Sequence, residues 1–255
     1  GRSALDAQNF TTATDTYNTA VGYHAGVSVT TGINNTFVGG LAGDSVTTGD
    51  NNVAVGYAAL DANQTANHNV AIGGSALGSN TTGATNTAVG GESMTANTEG
   101  GNNVALGYQS LHDLTTGSNN VAIGYQALST EDAHGDNVAV GYQSLKTLNA
   151  GADAFNTAVG YQSGQAVTTG IKNTLIGGFA GDSLTDADYN TSLGFGSLGF
   201  DQLGSRTTAI GYRALGTQRF TSATDSYNTA VGYDAGLEVT TGTLNTFLGG
   251  LAGDA

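Results

Sequence analysis

The chain has no cysteine, proline or tryptophan, and only 10% of its 255 residues are charged. The lack of cysteine excludes disulfide bridges and thiolate metal sites. With 6 basic residues against 20 acidic ones, the chain cannot offer the clustered Lys and Arg that phosphate groups require. It also has no run of about 18 apolar residues that could cross a membrane as a helix. We therefore expect no nucleic-acid partner and no membrane insertion.

Large side chains are scarce as well, because glycine takes 41 positions. Such a chain cannot fill a thick globular core. Its frequent Val, Ile, Thr and Tyr nevertheless favour strands and argue against disorder. The composition therefore predicts a thin, repetitive, all-β structure.

The pattern Asn-(Thr/Val)-Ala-(Val/Ile/Leu)-Gly recurs fourteen times, and eleven of the thirteen intervals are 17 residues long. The interval after Asn137 is 19 residues and the one after Thr207, where threonine replaces asparagine, is 21. Repeats of this length predict a solenoid. We expect residues 1–255 to form a single array, a parallel β-solenoid or β-roll of about fourteen 17-residue coils. The coils start at residues 18, 35, 52, 69, 86, 103, 120, 137, 156, 173, 190, 207, 228 and 245.

Positions are numbered from the first residue of each coil, and position 5 is glycine in all fourteen copies. An invariant glycine predicts either a positive φ or a backbone approached too closely for a Cβ. Positions 1 to 5 are predicted to form a strand of about five residues, with positions 2 and 4 on a bulky face and 3 and 5 on a small one. The structural glycines are Gly22, Gly56, Gly73, Gly107, Gly124, Gly141, Gly160, Gly211 and Gly232.

Each complete coil has an apolar residue at position 9 or at position 12, and a small or polar residue often stands at the other position. Leu60 at position 9 pairs with polar Asn63 at position 12, whereas Gly43 pairs with Val46. Leu41, Phe179 and Leu251 at position 7 accompany glycine at both positions 6 and 9. These swaps indicate that interior volume is conserved.

Strings such as Val-Thr-Thr-Gly (29–32) predict turns in which the glycine takes a positive φ, so each coil should have two short strands and two corners. The extra residues of the two longer coils, in 146–155 and 216–227, should bulge outward as loops. Residues 1–45 align without gaps to 211–255 with 31 identities, and both ends fall within a coil. Since solenoids need capping coils, we expect a fragment of a longer array with a 210-residue super-period.

Tyrosine recurs at position 6, including Tyr108, Tyr125, Tyr142 and Tyr161 in four consecutive coils. Stacked in register, these rings should form a ladder that stabilises neighbouring strands. An outward sugar-binding strip is the alternative use of the same rings.

No residue pattern indicates catalysis or a cofactor. His24, His68, His112 and His134 occupy four different coil positions, which favours solvated turn residues over a metal site. Asp15, Asp44, Asp182, Asp225 and Asp254 lie in turns, where capping or calcium binding across coils are both open. Lys146 and Lys172 lack the context of a phosphate loop. We expect a protein that is not an enzyme and needs no cofactor or metal.

Asn-Val-Ala-Val-Gly-Tyr (52–57) and Asn-Thr-Ala-Val-Gly-Tyr-Gln-Ser (156–163) resemble the Thr-Ala-Val-Gly-Tyr-Gln repeats of phage tail fibres and large bacterial surface proteins. They are also similar to the head repeats of trimeric autotransporter adhesins, although the adhesin period is shorter and its asparagine lies one residue further from Val-Ala-Ile. The resemblance covers all fourteen coils. It implies a left-handed parallel β-roll, a homotrimer, and an extracellular location on a virion or bacterial cell surface.

Two functions follow as hypotheses. The first is a structural or adhesive fibre segment, the shaft or head of a tail fibre or adhesin, which gives reach and multivalent attachment to a cell-surface glycan or protein receptor. The second is a monomeric ligand-binding solenoid such as an ice-binding protein, which would need the Thr-Thr pairs at positions 13 and 14 to align on one flat face. Six of the coils that start with asparagine lack that pair.

Overall fold

A computed structural model describes residues 1–254, which contain strands and turns but no helix. The fold is the predicted parallel β-solenoid. The chain comprises two compact units, Gly1–Asn120 and Val121–Ala255. The first contains β1 (Thr19–Val21), β2 (Thr36–Val38), β3 (Val53–Val55), β4 (Val70–Ile72), β5 (Thr87–Val89) and β6 (Val104–Leu106).

The second unit contains eight strands of the same kind and two shorter ones. They are β7 (Val121–Ile123), β8 (Val138–Val140), β9 (Thr157–Val159), β10 (Thr174–Ile176), β11 (Thr191–Leu193), β12 (Gly204–Ser205), β13 (Thr208–Ile210), β14 (Thr224–Asp225), β15 (Thr229–Val231) and β16 (Thr246–Leu248).

Within each unit, equivalent residues of successive coils lie side by side in a parallel sheet. In β3 and β4, Ala54 pairs with Ala71 and Val55 with Ile72. The longer coils keep this register, because Ala139 pairs with Ala158 and Ala209 with Ala230. The sequence repeat therefore corresponds to a repeat of the strand pairing, and the extra residues of the longer coils lie outside the paired strands.

The interior of each coil is built from positions 1, 3, 8, 9 and 12. In the coil that starts at Asn69, the residues at these positions are Asn69, Ala71, Ala76, Leu77 and Asn80, and all are fully buried. The small face of the strand therefore points inward and the bulky face outward. Position 8, which is Ala or Ser in every copy, belongs to the core although the sequence analysis assigned it no role.

The predicted conservation of volume is confirmed, because the apolar position-12 residues such as Val46 and Leu184 are fully buried. Position 3 also fills the space beside a position-9 glycine. A Cβ on Gly26 would lie 2.7 Å from the Phe37 ring, and one on Gly43 would lie 2.4 Å from it. Leu175 occupies the same space against Gly164 and Gly181, at 2.7 and 2.9 Å. A large position-3 side chain thus fills the space that two adjacent glycines leave empty.

Three local expectations were wrong. Each regular strand has three residues, not about five, and the second strand per coil is absent among residues 1–254 apart from the β12–β14 pair. The turn glycines, such as Gly32 and Gly170, do not have positive φ. Position 17 has it instead, as in Asn34 at 59°. A Cβ on Gly32 would lie 2.5 Å from the Gly49 carbonyl oxygen, so close backbone approach is the reason for glycine there.

Position 7 also differs from the expectation, because its side chains lie outside the core. Leu41 and Phe179 are half-buried and Leu251 is exposed. The extra residues do bulge outward: 151–153 and 221–223 are exposed. The second loop is anchored by Phe220 and Ser226, which are buried.

Candidate functional surface

The position-5 glycines satisfy both of the predicted reasons for glycine. In every structural glycine named above φ lies between 134° and 144°, a region that side-chain-bearing residues rarely enter. A Cβ on Gly73 would also lie 2.4 Å from the carbonyl oxygen of Gly90 in the next coil. These residues bring the coils into contact and present no chemistry of their own.

Buried asparagines at position 1 connect the coils of each unit. Asn52 Oδ1 accepts a hydrogen bond from the backbone N–H of Asn69 at 2.9 Å, while Asn52 Nδ2 donates to the Ala66 carbonyl at 2.9 Å. The pattern is repeated by the next asparagine, so each side chain satisfies buried backbone groups of two coils. The repeat motif itself therefore has a structural role.

The outward side of the strands is an uncharged face, formed by Thr or Val at position 2 and by Val, Ile or Leu at position 4, and flanked by position 6. None of the 20 acidic and 6 basic residues occupies any of these positions. Position 4 is exposed by 57% at Val21, 38% at Ile72 and 43% at Leu193. An uncharged, solvent-facing strip on a chain of net charge −14 is the kind of patch that marks an interaction surface.

The predicted tyrosine ladder is confirmed in the second unit. Tyr142 stacks on Tyr125 with centroids 5.3 Å apart and on Tyr161 at 5.1 Å. Position 6 is then glycine at Gly178, and Phe179 at position 7 takes over by contacting Tyr161 and Phe195 edge-to-face. Position 7 thus continues the aromatic column where position 6 cannot. Tyr108, in the first unit, donates its hydroxyl hydrogen bond to Glu92.

The four histidines do not converge. His24 stacks on Tyr23 at 4.0 Å, and His112 Nδ1 lies 2.6 Å from a carboxylate oxygen of Asp113. His134 lies with Glu131 and Asp132 in the single group of three potential metal-ligating side chains among residues 1–254. None of the five turn aspartates belongs to it.

Glu131 is fully buried, at an interior position 12. Burial raises the pKa of Glu131, while hydrogen bonds from the N–H groups of Ala150 and His134 act in the opposite direction. Those two bonds join the turn at 131–134 to the loop at 150. The Glu131 carboxylate therefore has a structural role, because it connects its own turn to the longer loop of the 19-residue coil.

A second buried polar cluster surrounds Thr207, which lacks the asparagine amide. Thr207 Oγ1 lies 2.6 Å from Ser226 Oγ, and Gln218 Nε2 donates to Asp201 Oδ2 at 2.7 Å. Asn228 Nδ2 donates to Gln218 Oε1 at 2.8 Å. This cluster was not predicted, although its four polar residues at interior positions 1 and 12 of successive coils are visible in the sequence.

Threonine side chains at position 13 form hydrogen bonds with the backbone of the next coil. Thr30 Oγ1 donates to the Thr47 carbonyl at 3.1 Å, and Thr81 Oγ1 donates to Thr98 at 2.9 Å. Each of these hydroxyls therefore uses its one donor within the solenoid.

Fold and surface together define a parallel β-solenoid with an uncharged outward sheet face. Comparison with protein-family models, curated proteins and solved structures yields no match. No helix among the described residues has the length and apolarity of a membrane span.

Proposed function

We propose that the chain is a structural or adhesive segment of an extracellular fibre, of the phage tail fibre or bacterial surface adhesin kind, and that it works as a homotrimer. The observation that carries the proposal is the charge-free outward face of the strands. Its Val, Ile and Leu side chains gain about 25 cal/mol per Å² when removed from water.

The distribution of charge on the chain favours self-association through this face. Two chains of net charge −14 repel each other, so a stable contact must lie where the charges are sparse. The proposed face lacks charges at positions 2 and 4. Position 6, which flanks this face and carries the aromatic column, stays outside the contact. The trimeric number comes from the resemblance to fibre and adhesin repeats.

Such an assembly would act through reach and repetition. Three parallel chains present every exposed turn and loop in threefold copies, which raises the effective concentration of weak contacts at a cell surface. The exposed loops at 151–153 and 221–223 and the aromatic column would be displayed this way. The position-13 hydroxyls, engaged within the solenoid, weigh against the ice-binding alternative.

Sedimentation equilibrium of the 255-residue chain tests the proposal, with a mass of three times 25.4 kDa as the expected result. The variant Ile72→Lys/Leu193→Lys puts charges on the outward face of each unit and should yield monomers with unchanged circular dichroism. Gln64→Lys/Asp186→Lys, at exposed turn positions, is the control and should remain trimeric. A monomeric wild-type chain at micromolar concentration would overturn the proposal, and thermal hysteresis activity would revive the alternative.

A further inference from the structure

One concave site interrupts the outer surface of the second unit. It is a cleft of about 260 Å³, formed over three successive coils. Its lining comprises Phe179, Asp182, Ser183, Phe195, Gly196, Gly199, Phe200, Arg213 and Gly216.

The cleft exists because one coil departs from the pattern at position 7. Gly196 is the only glycine among the fourteen residues at that position, where Gln109, Gln126, Gln143 and Gln162 also stand. A Cβ on Gly196 would meet nothing closer than Arg213 Cγ at 3.6 Å, so the fold does not require glycine for space. Its φ of 62° does not require glycine either, because Gln162 has 53° at the same position. The missing side chain leaves an opening that packing does not explain.

The walls of the cleft are aromatic. Phe179 and Phe195 meet edge-to-face at 5.6 Å, and Phe200 is 64% exposed at the rim. Beyond Phe195 the column continues with Tyr212 at 5.8 Å. The apolar floor and walls thus open onto a longer run of ring faces.

Two residues of opposite charge, Asp182 and Arg213, complete the lining of the cleft. Asp182 Oδ1 lies 3.4 Å from the point where a Cβ of Gly199 would be, so the carboxylate borders the floor. Burial raises the pKa of Asp182 to about 6, and the group is therefore an acceptor at neutral pH. Arg213 supplies donors. The net charge of the cleft is then zero.

We propose that this cleft binds one neutral hexopyranose unit of a surface glycan. A pyranose offers an apolar C–H face for stacking on the phenyl rings and a rim of hydroxyls that donate to Asp182 and accept from Arg213. The volume lies below the roughly 300–1,000 Å³ of pockets for drug-sized ligands, which suits a single ring. The open rim at Phe200 lets the neighbouring sugars of a chain continue outside the cleft.

This inference rests on the proposed attachment role and gives it a ligand class and a site. The test is saturation-transfer NMR and titration of the 255-residue chain with the methyl glycosides of glucose, galactose, mannose and N-acetylglucosamine. Glucuronate and L-phenylalanine are the charged and amino-acid comparisons. At least one neutral glycoside should bind with a dissociation constant in the order of millimolar, and the two comparisons should bind more weakly.

Gly196→Gln refills the cleft with the side chain that four other coils carry at position 7, and should weaken binding about tenfold or more. Ser75→Gln makes the same change at position 7 of a coil in the other unit, and should leave binding unaltered. Phe200→Ala removes a wall and provides a second variant if Gly196→Gln does not fold.

Absence of binding by every neutral glycoside, preferred binding of phenylalanine, or full binding by a folded Gly196→Gln or Phe200→Ala variant would each overturn the inference. Sedimentation of the same samples keeps the two proposals apart. A trimer without sugar binding refutes the cleft alone, whereas a monomer that binds sugar refutes the trimeric fibre alone.

Discussion

Asn69 and Asn86 are 17 residues apart, and the Oδ1 atom of Asn69 accepts the backbone N–H of Asn86 at 2.9 Å. The Nδ2 of Asn69 donates to the Gly83 carbonyl, also at 2.9 Å. One buried carboxamide thus satisfies a donor in the next coil and an acceptor in its own. Equivalent bonds recur at most of the other position-1 asparagines of each unit, and they explain why the motif begins with this residue type.

Asn69→Ala should therefore destabilise the chain by about 1–3 kcal/mol, since it leaves the buried N–H of Asn86 without its partner, while the Gly83 carbonyl keeps only the bond from Asn80. Asn69→Thr should be nearly as costly, because Thr207 is tolerated only beside Ser226 and Gln218. Urea denaturation followed by circular dichroism measures the change. Gln64→Ala, at an exposed site, is the control, and an equal loss in both would contradict the role of the asparagine.

Gly73→Ala and Gly74→Ala form a matched pair on adjacent residues. A Cβ on Gly73 would lie 2.4 Å from the Gly90 oxygen at a φ of 135°, whereas a Cβ on Gly74 would meet nothing within 4 Å. We expect the first change to cost more than about 4 kcal/mol or to prevent folding, and the second to cost under about 1 kcal/mol. Thermal unfolding of the two variants checks this, and similar melting temperatures would refute it.

Leu175→Ala should cost about 2–5 kcal/mol, because it opens a cavity between Gly164 and Gly181. Gly181→Leu alone should cost about 1–3 kcal/mol through overpacking against Leu175. Together they recreate the interior of the coil that contains Ala105, Leu111 and Leu114, all fully buried. The double variant should therefore be more stable than Leu175→Ala. A double-mutant cycle measures the coupling, and simple addition of the two losses would refute exchange between positions 3 and 9.

Asp182 makes stability depend on pH. Its pKa is raised from 3.8 to about 6 mainly by burial, while hydrogen bonds from the N–H groups of Asp182 and Ser183 lower it. Between these values the folded chain holds the proton more tightly than the unfolded chain does. The contribution of this group to stability therefore falls as pH rises from about 4 to 6, and the loss is complete above that range.

Asp182→Asn should be more stable than the wild type by about 1 kcal/mol at pH 7.5 and equal to it at pH 3.5. The gain is less than a full conversion of the pKa shift because the carboxylate is partly solvated. Asp186→Asn, which changes an exposed carboxylate, should alter stability by less than about 0.5 kcal/mol at either pH. A gain for Asp182→Asn that is independent of pH would contradict the assignment.

The fold was predictable from the sequence because the hydrogen-bonding register repeats with the residues. Gly73 and its equivalents, the stacking of Tyr125, Tyr142 and Tyr161, and the outward loops were all anticipated. The interior was predicted only in part, since Ala76 and Ser93 at position 8 are too small to stand out as core residues.

Positive φ was the hardest feature to predict. Leu77 at 50° and His68 at 60° take a conformation normally associated with glycine or asparagine. The N–H group of each donates to a carbonyl of an adjoining coil. The cleft was missed for a related reason. Gly196 differs from the position-7 residues of the other coils in having no side chain. The cleft that results depends on side chains from the coils on both sides.

The left-handed residues at positions 7, 9 and 17 also bear on how the chain folds. Each costs a side-chain-bearing residue about 1–2 kcal/mol, and the N–H groups of these residues donate to carbonyls of an adjoining coil, mostly 16 or 18 residues away. A lone coil would have the strain without the bonds. The first few coils must therefore form together as a slow nucleus, after which each folded coil templates the next, as molecules add to the growing face of a crystal.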